Sequence, residues 1–353
     1  MSQWSISFSY RLGLGFHALN NEGADGSNLM QPRRIDVGRI TYDGISGEII
    51  RRHILENFVE LCSVQEIHIL PLSAGLHPDR GPIGILAAAR DGNNESVVLN
   101  ADALFPSVRR AVKNCAVLDI GGFLAAWKGE KGSSSELSGS SEKKKKGYVA
   151  EKDYVDRYCA KIGDDVDPVK RESCFDVAWL ISESPQDSTV TQHSTFRDTA
   201  ALNMRYSQTM RSNIYGGLIR ADLHRIGMDD YWYLQNNVKR EILNLPDKKK
   251  RQLALIEAIV NFIASPTGAK TAGWAPHVFL TEGSILLSSD RTAPFVSPIK
   301  VNVKDEKSPV SFNSIYQKDI KKLANNTDIW TWEFKDTKEL LNAFDEIKKQ
   351  IEE

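Results

Sequence analysis

From Trp4 to Phe16 every even position is large and apolar: Trp4, Ile6, Phe8, Tyr10, Leu12, Leu14 and Phe16. So strict a period of two predicts a long, half-buried strand. Its odd positions, Ser5, Ser7, Ser9, Arg11, Gly13, Gly15 and His17, are mostly small or polar. That face reads as open, with the glycines marking a bulge or a close backbone approach. The stretch from Asn20 to Pro32, rich in Asn and Gly, reads as a loop, and residues 35–42 as a short second strand. Between Ser46 and Cys62 the period becomes helical: Ile50, Ile54, Phe58 and Leu61 form one stripe, with Glu48, Arg52, Glu56 and Glu60 opposite.

Beyond that helix the pattern weakens. Ile67 to Leu70 resembles a buried strand, Pro71 to Pro82 is rich in Gly and Pro, and residues 83–128 are only weakly helical. Apart from Leu137, residues 129–147 are all Gly, Ser, Lys or Glu. That composition buries too little apolar area to offset ordering entropy, so a disordered surface loop is expected there. Cys174 to Ile181 and Ile214 to His224 read as strands, separated by a polar excursion from Glu183 to Asn213. Leu253, Ile256, Val260 and Ile263 mark a second amphipathic helix, with Asp247 as its expected N-cap after Pro246. Residues 277–287 read as a strand and Thr337 to Glu353 as a short charged helix. Two amphipathic helices and a short charged one among several strands predict an α+β fold, a sheet covered by helices on one face.

Composition narrows the class. With 41% hydrophobic and 26% charged residues the chain is of the soluble globular type, and its 353 residues allow about two domains. No apolar run reaches the length of a membrane helix, and Met1 to Arg11 lacks the features of a secretory signal. Cys62, Cys115, Cys159 and Cys174, with no C-x-x-C spacing, point to reduced thiols and a cytoplasmic protein. A net charge of -1 means that any nucleic-acid surface must be local.

Catalytic signatures fail. There is no phosphate loop, no H-E-x-x-H and no G-x-S-x-G, and Gly13 and Gly15 are followed by Ala18 where a dinucleotide motif needs Gly. The seven histidines are scattered, and the adjacent Asp229 and Asp230 read as a solvated turn. No enzyme, cofactor or metal is therefore expected. The basic positions carry more. Arg33 and Arg34 end the first loop, and Arg51 and Arg52 lie near the start of the first helix. Arg52 has Glu48 and Glu56 at i-4 and i+4 and so has a solvent ion pair as an alternative role, whereas Arg51 has Gly47 and Leu55. The amides after Ser46 offer donors to a phosphate. Lys143 to Lys146 and Lys248 to Arg251 read as solvated basic runs. His193 to Arg225 holds five arginines and the apolar residues Phe196, Met204, Tyr206 and Met210, which suits either wedging against bases or packing onto its own domain.

Several pieces carry a family resemblance: R-L-G-L-G-F-H-A-L-N-N-E-G (Arg11 to Gly23), G-I-S-G-E-I-I-R-R-H (Gly44 to His53), C-A-V-L-D-I-G-G-F-L (Cys115 to Leu124), K-R-E-S-C-F (Lys170 to Phe175) and P-T-G-A-K-T-A-G-W-A-P (Pro266 to Pro276). In this order the chain resembles the CRISPR-associated backbone subunit of type I Cascade complexes, numbered seven, in its DevR or autoregulator branch of the RAMP superfamily. The resemblance implies a modified ferredoxin-like, RRM-like palm with a helical insertion and a thumb hairpin. Residues 1–71 and 171–353 would form the palm, 72–170 the insertion, and 184–212 the thumb arm. It implies that guide RNA is held by its backbone, as in RNA-guided effectors generally, and that no base stacks on the Ser- and Gly-lined sheet face, which lacks the aromatic ribonucleoprotein motif.

Carried over, the RNA-binding set is Arg11, Asn20, Arg33, Arg34, Ser46, Arg51, Arg52, His53, Gly268 and Lys270, with Phe196, Arg197 and Met204 as thumb or wedge residues. The implied partners are crRNA, target DNA, further copies of itself head to tail, and the other Cascade subunits: large subunit, Cas-five-like cap, Cas-six-like ribonuclease and small subunit. No membrane is implied. Some relatives carry a second Cys before the Asp-x-x-Gly-Phe piece; here Leu118 precedes Asp119, so no zinc is expected. Two other classes stay open: an RNA-cleaving type III-like backbone subunit, with Asp25 as the nearest candidate, and a DNA-binding transcriptional autoregulator, for which no helix-turn-helix spacing is present.

Overall fold

The computed structural model describes residues 3–19, 21–23, 29–89, 97–125, 160–162, 166–185, 188–194, 205–267, 275–313 and 329–352. In chain order they form β1 (Ser5–His17), β2 (Asn21–Gly23), β3 (Leu29–Val37), β4 (Ile40–Ile45), α1 (Gly47–Val64), α2 (Pro71–Ala74), α3 (Arg80–Ala89), β5 (Val97–Leu99), α4 (Ala101–Asn114), α5 (Ala116–Gly121), β6 (Phe123–Ala125), β7 (Ala160–Ile162), β8 (Val169–Arg171), β9 (Phe175–Val177), β10 (Leu180–Pro185), β11 (Ser188–Ser194), β12 (Arg205–Ala221), α6 (Leu245–Ala264), β13 (His277–Ser288), β14 (Ile299–Val301), β15 (Val310–Phe312), β16 (Ile329–Phe334) and α7 (Thr337–Glu352). The fold is α+β, and its main sheet is largely antiparallel. The chain divides into two compact units, one of residues 1–58, 175–224 and 252–353, the other of 59–174 and 225–251.

In the first unit the alternating segment becomes β1, flanked antiparallel by β12 and β13. The sheet order is β16-β13-β1-β12-β10-β4-β3-β2, with β9 and β11 also paired to β12. Its centre reads β1, α1, β10, β12, α6, β13 in sequence and fourth-first-third-second in space. Ile6, Phe8, Tyr10, Leu12 and Leu14 are buried to within 1%. Leu12 and Leu14 share an apolar space with Ile49 and Ile50 of α1 and Phe262 of α6. Each such side chain contributes about 1.5–3 kcal/mol on leaving water.

Two expectations for β1 are corrected. Phe16, the last residue of the apolar row, is 65% exposed with φ of +52°. The register slips between Leu14 and His17, so a bulge ends the alternation and turns the side chain outward. The serine face is not open either: Ser5, Ser7 and Ser9 are buried. Their hydroxyls donate to the carbonyls of Asp290, Pro294 and Val296 at 2.7, 3.0 and 2.5 Å. A strap after β13 thus lies on the sheet, and small donor side chains let it sit close. The β14–β15 hairpin continues the cover: Ile299 and Phe312 occupy the place that a side chain at Gly216 would need.

Other boundaries shift for local reasons. The stretch read as loop and short strand is a hairpin, β3–β4, turning at Gly38 with φ of +64°. The polar excursion is also a hairpin, β11 against β12 from Ser188↔Arg211 to Ser194↔Arg205. Asn244, rather than Asp247, caps α6, its Oδ1 accepting from the Asp247 amide at 2.8 Å, and Pro246 takes an early helical position where no amide is missed. Ile67 to Leu70 forms no strand. The Gly/Ser/Lys/Glu segment 129–147 lies outside the described residues.

The second unit is organised around a charge. Asp119 of α5, fully buried, accepts from Arg171 at 2.6 Å, from Arg251 at 2.7 Å and from the Gly227 amide at 3.0 Å. Arg171 also reaches Asp230 at 2.9 Å and the carbonyls of Asp119, Met228 and Arg225. Two segments singled out in the sequence, 115–124 and 170–175, therefore meet here. Gly122 has φ of +66°, and a Cβ there would stand 2.4 Å from the Arg171 carbonyl. The solvated readings of 229–230 and of Arg251 are corrected: Asp229 is 2% and Arg251 4% exposed. Asp229 accepts from Arg109 at 2.9 Å and from Gln235 at 3.0 Å. Cys62, Cys115 and Cys174 are buried and form no disulfide. Burial pushes the Cys62 and Cys174 thiols up to about 12, which keeps them protonated and inert.

Candidate nucleic-acid interface

Where β4 hands over to α1, the chain reads Gly44, Ile45, Ser46, Gly47. Ser46 accepts the Ile49 amide on Oγ at 3.4 Å and the Ile50 amide on its carbonyl at 3.3 Å, and so caps the helix. Gly47 is required by contact, because a Cβ there would lie 2.3 Å from the carbonyl oxygen of Val177. The helix start is therefore seated against the link between β9 and β10. At Gly44 a Cβ would meet Ile35 at 2.8 Å and the Trp179 indole at 3.1 Å.

Two aromatic rings, Phe175 at the start of β9 and Trp179 in the link, each have an arginine over them. The Arg51 guanidinium lies 5.8 Å from the centre of Phe175, and that of Arg33 lies 5.5 Å from the centre of Trp179. Arg51 is half-buried; burial lowers its pKa, while Asp176 and Glu48 act to raise it. Asp176 also pairs with Arg220 at 2.8 Å. The structure thus gathers Arg33, Ser46 and Arg51 around 175–179. Such a site combines cations, one partly exposed aromatic ring and a helix start, features by which proteins hold single-stranded nucleic acid.

The other expected residues are placed differently. Arg34 is exposed and donates to Gln31 at 2.8 Å. Arg52 pairs with Glu56 at 2.9 Å, and His53 shares that carboxylate at 2.7 Å. His53 is buried and faces the apolar space lined by Leu12, Leu14 and Phe262. Arg11 stands in the same cross-strand row as Arg33, through Gly216, Ile181 and Gly44. Four strand spacings place the two backbones about 19 Å apart. Arg11 pairs with Glu282 at 2.5 Å and lies 5.3 Å from the Phe312 ring centre. Asn20, Gly268, Lys270, Phe196, Arg197, Met204 and Asp25 lie outside the described residues. Of the arginines between His193 and Arg225, Arg211 is buried 3.8 Å from Asp43 and donates to the Leu19 carbonyl at 2.5 Å. Arg225 donates to the Ser173 carbonyl at 3.1 Å. Both are tied to their own chain.

Trp179 was not anticipated from sequence. A lone Trp inside an apolar stretch reads as core, and only its 36% exposure and the arginine above it reveal otherwise. Also unforeseen is a buried polar cluster in the same unit. His17 Nε2 meets Tyr215 Oη at 3.0 Å and its Nδ1 accepts from the Leu19 amide at 3.3 Å. Burial, then the charge of Arg211, hold the His17 pKa well below its ordinary value. Among the described residues no group of His, Cys, Asp and Glu is arranged to hold a metal ion, and no helix is long and apolar enough to cross a membrane.

A family model described as CRISPR-associated negative auto-regulator DevR/Csa2 matches residues 8–308. No curated protein matches the sequence. Among solved structures the chain is similar to one described as "CRISPR RNA-guided surveillance complex, pre-nicking", with a TM-score of 0.39 and 8% identity over 98% of this chain and 87% of that one. It is also similar to one described as "CRISPR RNA-guided surveillance complex", again with a TM-score of 0.39 and 8% identity, over 98% of this chain and 99% of the other.

Proposed function

The chain belongs to the DevR/Csa2 family of CRISPR-associated proteins, and on that premise we propose that it is a multi-copy subunit holding a guide RNA by its phosphate backbone in a type I surveillance complex. The observation that carries this reading is the pair of arginine–aromatic contacts flanking the start of α1. Phosphates on that surface would meet Arg33, Arg51 and the first amides of α1. Sequence would be read by base pairing with target DNA and not by the protein.

The first unit's fourth-first-third-second strand order with two intervening helices supports a modified ferredoxin-like palm. The strap over Ser5, Ser7 and Ser9 gives a physical reason why RNA would not lie across the centre of the sheet, as it does on ordinary RNA-recognition domains. In this reading residues 184–212 are the thumb, reaching over the next copy, and residues 72–170 are the helical insertion. A heterologous contact that does not close builds a filament, which suits a subunit repeated along a guide. The remaining partners are the other Cascade subunits. The role is non-enzymatic and needs no cofactor, in the cytoplasm.

The test is the mass of the particle formed when the full chain is mixed with single-stranded RNA of increasing length. The reading predicts mass rising in steps of one subunit per fixed number of nucleotides. A single subunit per RNA whatever its length would contradict it.

A further inference from the structure

Resting on that reading, the geometry points to Trp179 as a base-stacking residue: a nucleobase of the bound single strand packs on its indole, beside the phosphate contacts of Arg33 and Arg51. Three observations carry the inference. The indole is 36% exposed although it sits between two paired strands, β9 and β10. A partly exposed indole at a charged site leaves π surface that a ligand can use.

The neighbouring backbone is shaped around this ring. Gly44 leaves the space that a Cβ 3.1 Å from the indole would take, and Gly47 lets the helix start close on Val177 two residues away. The ring is thereby packed close to the end of β4, on the segment against which the helix start is seated. Finally, Arg33 lies over the indole at 5.5 Å. An arginine stacked on an aromatic presents a planar, cationic surface adjoining a π face, which suits a base and its own phosphate together. Phe175, the other ring of the segment, is buried to 2% beneath Arg51 and cannot take this part. Of the two, only Trp179 offers a face.

Stacking and charge have different signatures. Base–aromatic stacking contributes about 1–3 kcal/mol per base, a factor of about 5–150 in affinity. It releases no counterion, so its removal leaves the salt dependence of binding unchanged. The experiment measures affinity of the full chain, across a salt series, for a single-stranded RNA and for an abasic phosphodiester oligomer of equal length. Trp179→Ala should weaken RNA binding at least fivefold with the same log-log slope and leave abasic binding unchanged, while Trp179→Phe restores most of the loss. Equal weakening on both probes, or a changed slope, overturns the stacking role and makes Trp179 a support for Arg33. Unchanged RNA binding by Trp179→Ala overturns it as well, and leaves the indole as a docking point for another protein. Failure of the wild-type chain to bind either probe would instead sink the parent reading.

Discussion

Arginine does opposite work in the two units. In the second unit Arg171 is 4% exposed and its donors reach two carboxylates and three carbonyls of its own chain. In the first, Arg33 and Arg51 each lie over an aromatic ring, Trp179 and Phe175. A guanidinium has a fixed fork of five donors and a planar face. Where the fork is spent on buried carboxylates and carbonyls, the residue is architecture; where the planar face lies over a ring, the guanidinium stands at a different kind of site. Residue type alone does not separate these cases, since Arg33, Arg51 and Arg171 each stand beside another basic residue in sequence.

Removing the anion should break the comparison most visibly. Asp119→Ala would leave Arg171 and Arg251 buried without their shared carboxylate, a loss of about 3–5 kcal/mol. Chemical denaturation should show it as unfolding of the second unit at lower denaturant. A change under about 1 kcal/mol would mean that the triad is not what holds 115–124 to 170–175.

Arg211 is the intermediate case, buried like Arg171 but lying in the first unit beside His17 and Asp43. The folded pKa of His17 is lowered, so the native state holds His17 neutral while the unfolded chain takes up a proton below about pH 6.5. Stability from this group is complete above that pH and is lost as pH falls, by up to about 1.4 kcal/mol per unit. Denaturation midpoints at pH 7 and pH 5 should therefore differ less in His17→Gln than in the wild type. An identical pH dependence in both would clear His17 of the effect. The smallest change belongs to Arg52→Ala. That residue is exposed and tied to Glu56, so stability should fall by only about 0.3–0.5 kcal/mol, with RNA affinity nearly unaltered. A loss of RNA binding comparable with that of Arg51→Ala would place Arg52 in the interface.

The sequence pattern made β1, α1, α6, β13 and α7 legible because each has a periodic face against one core. It failed where burial is achieved by polar means. The serines of β1 look like a solvent face, yet they are covered because a strap from residues 290–296 supplies carbonyls for their hydroxyls. Asp229, Asp230 and Arg251 look like surface charge because their partners lie far away in sequence. The short helices α2, α3 and α5 bury Gly, Ala and Ser as readily as Leu, which blurs their stripes. At the candidate interface Arg51 carries a local signal in the sequence, an arginine near a helix start without an i±4 acid. Trp179 carries none, because its exposure depends on a break between two strands that no periodicity announces.

Whether phosphates of a guide meet Arg51 at the start of α1 is read most directly from the salt dependence of RNA binding in wild type and in Arg51→Ala, whose fold is checked by its melting curve. Arg51→Ala should bind more weakly with no base preference, with a log-log slope shallower by about one unit, one phosphate contact fewer. Equal affinity and equal slope in the two proteins would contradict that contact and remove Arg51 from the interface.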